Sequence, residues 1–316
     1  MQPPSLPDAV APERSRYVDS LGIRLQVHEW GDPRATPILL THGMFDHSRG
    51  FDLLAPRLAE KLRVVAFDAR GHGDSDWAES YVWDLDVADV VNVLRSIGEP
   101  ALLLGHSKGG GQVVDAAIAF PADVLAVVNL DGFGPPPEGF DHPQRTEMLE
   151  KTLPERFAAY LDTRRTAATN RAWRARPSFD DLVARRGQQN PRLTGDWLRY
   201  FVFHAARKDP EGWRWKVDPH AAGGWGPWRP DWIDDTYSKL KVPLLALIGS
   251  VQDNWGPLPE PLLAERLKGV RSLERATVED AGHFIHMEQP KRTSDLVLDY
   301  ANRHAARRRS PRRQKQ

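Results

Sequence analysis

Cysteine is absent from this chain of 316 residues, and its absence excludes disulfide bonds, thiolate metal sites and a cysteine nucleophile. Long apolar runs are absent as well, because no stretch approaches the roughly 20 residues that a membrane-spanning helix needs. The segment from Met1 to Pro7 has neither the basic nor the apolar region of a secretory signal. These absences predict a cytoplasmic protein with no membrane partner.

The chain also lacks net charge, since its 43 basic residues equal its 43 acidic residues in number. The charge is unevenly placed, because residues 303–316 hold seven basic residues and no acidic one, which leaves a net charge of −7 on residues 1–302. An acidic body disfavours nucleic acid as a partner. We expect residues 306–316 to form a solvated, disordered basic tail.

Short apolar segments alternate with amphipathic segments along residues 1–134 and again along residues 240–305. The apolar segments predict strands at Ile23–Trp30, Pro37–Leu40, Val64–Phe67, Leu102–Leu104, Val124–Leu130, Val242–Ile248 and Leu273–Thr277. The amphipathic segments predict helices at Leu53–Leu62, Val82–Ile97, Gln112–Phe120, Leu258–Leu267 and Gln289–Ala306. This alternation is typical of an α/β fold in which helices cover both faces of a mostly parallel sheet.

The alternation stops between residues 135 and 239, where arginine, aspartate, proline and tryptophan are frequent. Helical spacing in this segment predicts helices at Arg145–Arg164, Ser178–Arg186 and Thr194–Ala206. We therefore expect residues 135–239 to form a mainly helical cap, inserted into a core made of residues 1–134 and 240–305. Seven of the eleven tryptophans fall in this segment, so aromatic side chains are candidates to line an apolar pocket above the core.

A G-x-S-x-G motif at Gly105–Gly109 lies between the predicted strand Leu102–Leu104 and the predicted helix Gln112–Phe120. In this context the serine occupies the tip of a tight turn, and the flanking glycines leave room for the neighbouring strand and helix. The turn lifts the hydroxyl of Ser107 out of the sheet, toward a base and a substrate. Ser107 is therefore the candidate nucleophile.

A serine nucleophile needs a nearby base, and the base needs an acid that orients it. His283 is the candidate base, because it lies in the loop between the last predicted strand and the last predicted helix. Two acids that follow predicted strands are candidates to orient this base. Asp253, which follows the strand Val242–Ile248, is favoured, and Asp131, at the end of an earlier strand, is the alternative.

Acyl transfer also needs hydrogen-bond donors for the negative charge that develops on the substrate oxygen. The backbone N–H of Lys108, directly after the nucleophile, is one expected donor. The other is the backbone N–H of Met44, in the loop that follows the predicted strand Pro37–Leu40. For the side chain of Lys108 two roles stay open, a solvated cation beside the cap or a contact to an anionic group of the substrate.

His42, Asp46 and His47 are close in sequence, and their side chains are of types that bind metals. They lie in one loop, however, with no partner cluster elsewhere in the chain, so their spacing does not favour a metal site. We therefore expect neither a metal nor an organic cofactor.

Four ordered motifs resemble those of the α/β-hydrolase superfamily. They are His42-Gly43, Asp68–Ser75, Gly105–Gly110, and Gly282-His283 followed by Glu288-Gln289-Pro290. The resemblance covers about residues 17–134 and 240–305. It implies an α/β-hydrolase fold with an inserted helical cap and a catalytic triad in the chain order serine, acid, histidine. It assigns a turn-forming role, not a catalytic one, to Asp68–Ser75.

Ser107 stands where epoxide hydrolases and haloalkane dehalogenases of this superfamily carry an aspartate nucleophile, which argues against both activities. The serine instead implies hydrolysis of a carboxylic ester, thioester or lactone through an acyl-enzyme. The aromatic cap favours a bulky or apolar small-molecule substrate. Three alternatives stay open: C–C bond hydrolysis of a β-diketone-like substrate, a cofactor-free oxygenase or perhydrolase, and a ligand sensor that keeps the triad. Cofactor-free dioxygenases resemble this chain in having an acid like Asp131.

Overall fold

The computed structural model describes residues 2–134, 151–167, 174–193, 195–223, 233, 236–253 and 255–305. Several predicted features lie outside these described residues: the start of the first cap helix, four of the cap tryptophans (Trp173, Trp225, Trp228 and Trp232) and the basic tail 306–316. Within the described ranges, no helix combines the length and the apolar character needed to cross a membrane.

Eight strands form the main sheet: β1 (Arg14–Ser20), β2 (Ile23–Trp30), β3 (Pro37–Thr41), β4 (Arg63–Phe67), β5 (Ala101–His106), β6 (Val124–Leu130), β9 (Leu244–Gly249) and β10 (Leu273–Val278). Their order across the sheet is β1-β2-β4-β3-β5-β6-β9-β10. β2 pairs antiparallel with β1 and with β4, and the six strands from β4 to β10 are parallel. The predicted mostly parallel sheet is confirmed, whereas the polar edge strand β1 was not predicted because it contains no apolar run.

Helices cover both faces of this sheet. One face packs against α2 (Trp83–Ile97), α3 (Lys108–Ala119) and α7 (Glu260–Leu267), and the other against α1 (Ala55–Ala59) and α9 (Pro290–Ala305), which the short α8 (Ile285–Glu288) precedes. The central strands β3, β5, β6 and β9 are buried along their whole length. Their sequences are continuously apolar rather than alternating, because helices remove both faces from water.

The carboxyl ends of the parallel strands meet at one edge of the sheet, and the predicted site residues follow them. Met44 follows β3, Ser107 follows β5 and Asp131 follows β6, while Asp253 and His283 come after β9 and β10. Five separate loops therefore lie at the same edge of the sheet. Ligands of open α/β sheets bind at this edge.

The insertion between β6 and β9 adds no strand to the main sheet within its described residues. Its helices are α4 (Leu153–Ala167), α5 (Phe179–Gln189) and α6 (Gly195–Ala205), close to the predicted ones. α5 begins at a capping box, in which the side chains of Ser178 and Asp181 accept each other's backbone N–H. The strands β7 (Ala206–Asp209) and β8 (Gly212–Trp215) form an antiparallel hairpin. The hairpin was not predicted, because each of its strands has only 4 residues and β7 lacks the apolar alternation of a strand.

Three tryptophans of the insertion are described, and they pack in an apolar cluster that also includes Phe284 and Met287, which follow β10. The ring centroid of Trp213 lies 5.2 Å from that of Phe179, and the ring centroid of Trp197 lies 6.1 Å from that of Phe201. Trp215 packs against the same cluster. These contacts stabilise the insertion. Trp215 also lines a cavity with Trp77 and Arg207, and the residues that line this cavity include none of the proposed catalytic ones.

α6 docks the insertion onto the segment that follows β3. Arg49 Nη2 donates a hydrogen bond to the Tyr200 hydroxyl at 3.0 Å, and Tyr200 donates in turn to Asp52. His47 Nε2 lies 3.0 Å from the carbonyl oxygen of Phe201. Since a carbonyl oxygen only accepts, Nε2 carries the proton of this imidazole.

Buried neutral histidines predict that the protein loses stability in acid. Burial lowers the pKa of His47 to about 3 and that of His72 to about 3, whereas an unfolded chain titrates histidine near 6.5. Below about pH 6.5 the unfolded state therefore binds more protons than the folded state, and the free energy of unfolding falls as the pH falls. Each of these histidines should contribute a loss of about 2 kcal/mol at about pH 5.

Urea unfolding at about pH 7.5 and about pH 5 measures this loss. His47→Gln can still donate to the Phe201 carbonyl but does not titrate, so the difference in unfolding free energy between the two pH values should shrink by about 2 kcal/mol. A pH dependence identical to that of the wild type would show that His47 does not contribute.

Candidate active site

Ser107 occupies the tip of the turn between β5 and α3. Its backbone has a φ of 53° and a ψ of −121°, a conformation that stores strain in a residue with a side chain. A Cβ atom on Gly105 would collide with the carbonyl of Gly109, and one on Gly109 would collide with the carbonyl of Thr41. The close approach of strand and helix therefore requires both glycines of the motif.

The imidazole of His283 is hydrogen-bonded to Asp131. Nδ1 of His283 lies 2.7 Å from Oδ2 of Asp131, and both side chains are buried. Because a carboxylate accepts and does not donate, Nδ1 carries the proton and Nε2 keeps its lone pair. Burial raises the pKa of Asp131 above its ordinary value, while the hydrogen bond from His283 acts in the opposite direction.

Asp253, the acid favoured from the sequence, contacts the backbone of His283 rather than its ring. Its Oδ2 accepts the backbone N–H of His283 at 2.8 Å. Its Oδ1 accepts the backbone N–H groups of Trp255 and Gly256 at 2.8 Å and 3.1 Å. The expected contact between Asp253 and the imidazole is therefore wrong, and the alternative acid Asp131 makes it.

The loop after β9 accounts for these partners better than strand order does. β6 lies directly beside β5 in the sheet, so Asp131 follows the strand next to the one that precedes Ser107. Asp253 follows β9, which lies between β6 and β10, and its carboxylate is held by backbone N–H groups of its own loop. Gly256 of that loop lies so close to the Asp131 carboxylate that a Cβ atom there would collide with it. The loop thereby covers the hydrogen bond between Asp131 and His283.

The loop that contains Met44 packs against Ser107. A Cβ atom on Gly43 would lie 3.2 Å from the Cβ of Ser107. Asp46 N–H donates to the Gly43 carbonyl at 3.3 Å, and Phe45 has a φ of 59°, so the chain turns sharply here. Met44 thus lies in the turn that faces Ser107, and Lys108 begins α3 on the other side of the nucleophile.

Comparison with known proteins identifies the fold family. A family model described as "Alpha/beta hydrolase family" matches residues 38–296, which is most of the chain. The chain belongs to this family. Among the relatives similar in sequence, a lipase of Mycobacterium tuberculosis is 36% identical over 110 residues, which are 34% of this chain and 42% of the lipase. The 2-(acetamidomethylene)succinate hydrolase of Mesorhizobium japonicum is 38% identical over 120 residues, 37% of this chain and 42% of that enzyme.

These matches span less than half the length of either relative. Solved structures cover more of the chain. The crystal structure of E-2-(acetamidomethylene)succinate hydrolase aligns with a TM-score of 0.74 and 23% identity, over 92% of this chain and 99% of the other. The thioesterase domain from the curacin biosynthetic pathway aligns with a TM-score of 0.73 and 21% identity, over 90% and 98% of the two chains. At this identity the likeness shows the fold.

Lys108, the residue after Ser107 in this α/β-hydrolase chain, forms an ion pair with α2. Its Nζ lies 2.6 Å from Oδ2 of Asp86, and only 12% of the lysine side chain is exposed. The expectation of a solvated side chain is therefore wrong. The partner could not be read from the sequence, because Asp86 lies one strand and one helix earlier in the chain.

The Asp68–Ser75 motif of the family builds a turn. Oδ1 of Asp68 accepts the backbone N–H and the hydroxyl of Ser48, and its Oδ2 accepts the backbone N–H of Asp74 at 2.8 Å. His42 Nε2 accepts the backbone N–H of Ala69 at 2.9 Å. The carboxylate and the histidine thus hold the segments after β3 and β4 together.

Glu288 of the E-Q-P motif holds the histidine loop. Its Oε2 accepts the backbone N–H of Gly282 at 3.0 Å and forms an ion pair with Arg192 of the insertion at 2.5 Å. Arg192 Nη2 also donates to the carbonyl of Asp280 at 2.9 Å. The family motif therefore has a physical role in placing the loop that carries His283.

His106 is a site residue that the sequence did not single out, since it occupies a variable position of the G-x-S-x-G motif. Its Nε2 donates to the carbonyl oxygen of His283 at 3.0 Å. Its ring centroid lies 4.8 Å from that of His283 and 4.4 Å from that of His286. His106, the residue before Ser107, therefore holds the backbone of His283, the candidate base.

Proposed function

We propose that the protein is a serine hydrolase that cleaves a carboxylic ester, thioester or lactone through an acyl-enzyme. One observation carries the proposal: Ser107 lies at a strained strand–helix turn, at the sheet edge where Asp131 orients the imidazole of His283. A serine, a histidine and an acid that follow three strands of one sheet, at the same edge, are the groups that nucleophilic acyl transfer needs. Membership of the α/β-hydrolase family supports the same activity.

In the proposed reaction, Ser107 Oγ attacks the substrate carbonyl carbon while Nε2 of His283 takes the hydroxyl proton. The backbone N–H groups of Met44 and Lys108 stabilise the oxyanion. The tetrahedral intermediate expels the alcohol or thiol, which receives the proton from His283. Water, activated by the same imidazole, then releases the carboxylic acid and restores Ser107. Asp131 holds the Nδ1–H tautomer and stabilises the imidazolium, and Asp253 keeps the backbone of His283 in place.

The insertion, residues 135–239, is the proposed cap over the core formed by residues 1–134 and 240–305. Two contacts that reach the site from the insertion support this division. Arg192 contacts the loop that carries His283. Arg186 on α5 forms an ion pair with Asp46, in the loop that contains Met44. Both of these contacts join the insertion to a loop rather than to a strand of the sheet.

The first test joins active-site labelling to an ester panel. A fluorophosphonate should react once, at Ser107, because the attack of Oγ on phosphorus expels fluoride and leaves a stable serine adduct. Intact and peptide mass spectrometry locate the adduct. Turnover should follow on p-nitrophenyl esters of varied chain length, and the panel should include a hemisuccinate ester because the relatives include both a lipase and a succinate-derivative hydrolase.

A protein that forms no adduct at Ser107 and hydrolyses no member of the panel would contradict the proposed function. A rate that rises with chain length would support the bulky, apolar substrate expected from the sequence. A preference for the hemisuccinate would point to an anionic substrate instead.

The Asp131–His283 hydrogen bond also favours a second candidate, a cofactor-free dioxygenase, because such enzymes of this superfamily carry an acid at this strand end. An oxygen electrode distinguishes the two candidates. Oxygen consumption with a heterocyclic substrate, in a protein that forms no acyl-enzyme, would favour the dioxygenase.

A further inference from the structure

A buried ion pair links the insertion to the loop that contains Met44. Nη2 of Arg186, on α5, lies 2.5 Å from Oδ1 of Asp46, and the two side chains are 8% and 2% exposed. Nη1 of Arg186 also donates to the carbonyl oxygen of Phe45 at 3.4 Å. One guanidinium of the insertion therefore contacts two consecutive residues of the turn after β3.

The carboxylate of Asp46 is wedged between this turn and the nucleophile turn. A Cβ atom on Gly43 would lie 3.0 Å from Oδ2 of Asp46. The same oxygen lies 3.7 Å from Nδ1 of His106, which is a packing contact and too long for a hydrogen bond. His106 in turn donates to the backbone of His283. The contacts thus run from Arg186 through Asp46 and His106 to the candidate base.

The surroundings keep both charges in place. The guanidinium carbon of Arg186 lies 4.6 Å from the ring centroid of Phe201 and 5.8 Å from that of Phe284, the neighbour of His283. Burial acts to raise the pKa of Asp46, but the charge of Arg186 and the neighbouring His106 and His42 together outweigh it and hold that pKa well below its usual range. Removing either partner would leave an uncompensated buried charge.

We propose that Arg186 and Asp46 are positioning residues that align the Met44 N–H and the His283 loop with Ser107. The inference rests on the proposed function, in which Met44 and His283 act on the substrate. The catalytic groups are then complete only while α5 of the insertion is docked on the core. Docking of the insertion thereby controls the chemical step and not merely access to the site.

A second buried ion pair provides the matched control. Arg70 and Asp89 form two hydrogen bonds of 2.7 Å each, and their side chains are 4% and 1% exposed. This pair joins the turn after β4 to α2 and contacts none of the proposed catalytic groups. Its loss should destabilise the fold to a similar extent without moving the active site.

The experiment compares Arg186→Gln, Asp46→Asn and the double variant with Arg70→Gln. Steady-state kinetics on a p-nitrophenyl ester are measured well below each melting temperature and normalised to sites that react with a fluorophosphonate. The Arg186 and Asp46 variants should lose about 100-fold in kcat with KM within about threefold, since misplaced donors cost transition-state stabilisation. The double variant should regain thermal stability but not kcat, and Arg70→Gln should lose stability but keep kcat.

Amide hydrogen exchange supplies a readout that does not depend on activity. Arg186→Gln should accelerate exchange in the peptides that contain residues 43–46 and 283–284, and Arg70→Gln should leave both peptides unchanged. A folded Arg186→Gln variant with wild-type exchange in these peptides would overturn the inference, as would wild-type kcat. If the wild type neither turns over esters nor reacts at Ser107, the proposed function fails, and the exchange result still decides whether the pair positions the two loops.

Discussion

Replacing Ser107 with alanine should lower kcat for p-nitrophenyl ester hydrolysis by about 10⁴- to 10⁶-fold. The variant keeps the base and the oxyanion donors but loses the atom that forms the acyl-enzyme, so only the slow attack of water remains. KM should stay within about threefold, because the hydroxyl contributes mainly to the transition state. Steady-state kinetics and the loss of the fluorophosphonate adduct measure the effect.

Ser96→Ala is the control for this substitution. Ser96 lies on α2, where its hydroxyl donates to the carbonyl oxygen of Val93 at 2.7 Å, away from the proposed catalytic groups. The control should keep kcat within about twofold of the wild type. Circular dichroism and thermal melts confirm that both variants fold. A folded Ser107→Ala enzyme that retains more than about 1% of the wild-type kcat would contradict the covalent mechanism.

Asp131→Asn should lower kcat by about 10³- to 10⁴-fold. Asparagine keeps the shape of the side chain but removes the negative charge that stabilises the imidazolium of His283. Its amide N–H also favours the tautomer that carries the proton on Nε2, which cannot accept a proton from Ser107. Kinetics on the best ester of the panel measure the loss, and a fluorophosphonate rate reduced by a comparable factor would place the effect on the attack of Ser107.

Asp253→Asn is the comparison that separates the two acids. The carboxylate of Asp253 accepts three backbone N–H groups, including that of His283. The structure describes no contact between this carboxylate and the imidazole ring of His283. The amide oxygen of asparagine can still accept some of these bonds, so kcat should fall by about tenfold or less. A larger loss in Asp253→Asn than in Asp131→Asn would return the role of triad acid to Asp253.

Local patterns in the sequence were sufficient for most of the fold. The strand ends that carry Met44, Ser107, Asp131, Asp253 and His283 were all expected, because continuous apolar runs and helical spacing reflect burial on both faces of a sheet. The edge strand β1 and the β7–β8 hairpin were not predicted, because neither is buried on both faces of a sheet. Both are polar and partly exposed, and their strand conformation comes from pairing with a neighbour.

The geometry of the turn at Ser107 could also be predicted from residues that are close in sequence. The two close backbone approaches can be satisfied only by glycines at fixed positions, and the strained φ and ψ angles fall on Ser107 between them. The motif and its surroundings therefore predict the geometry without any distant residue. The acids that contact His283 and Lys108 could not be predicted from residues that are close in sequence. Asp131, Asp253 and Asp86 are each acids that follow or lie on a predicted element, and nothing in their neighbours in sequence distinguishes the one that faces an imidazole from the one that pairs with Lys108.

By itself, then, the sequence determined the order of strands and helices, the serine turn and the histidine loop, because each depends on backbone sterics and on burial within a few residues. Only the tertiary structure decided that Asp131 reaches His283, that Asp253 holds the backbone of His283, and that Arg186 pairs with Asp46 across the insertion. These contacts join residues far apart in the chain. Their formation depends on the packing of the loops and on the docking of the insertion, since hydrogen bonds form only at contact distance and the attraction of an ion pair is strongest there.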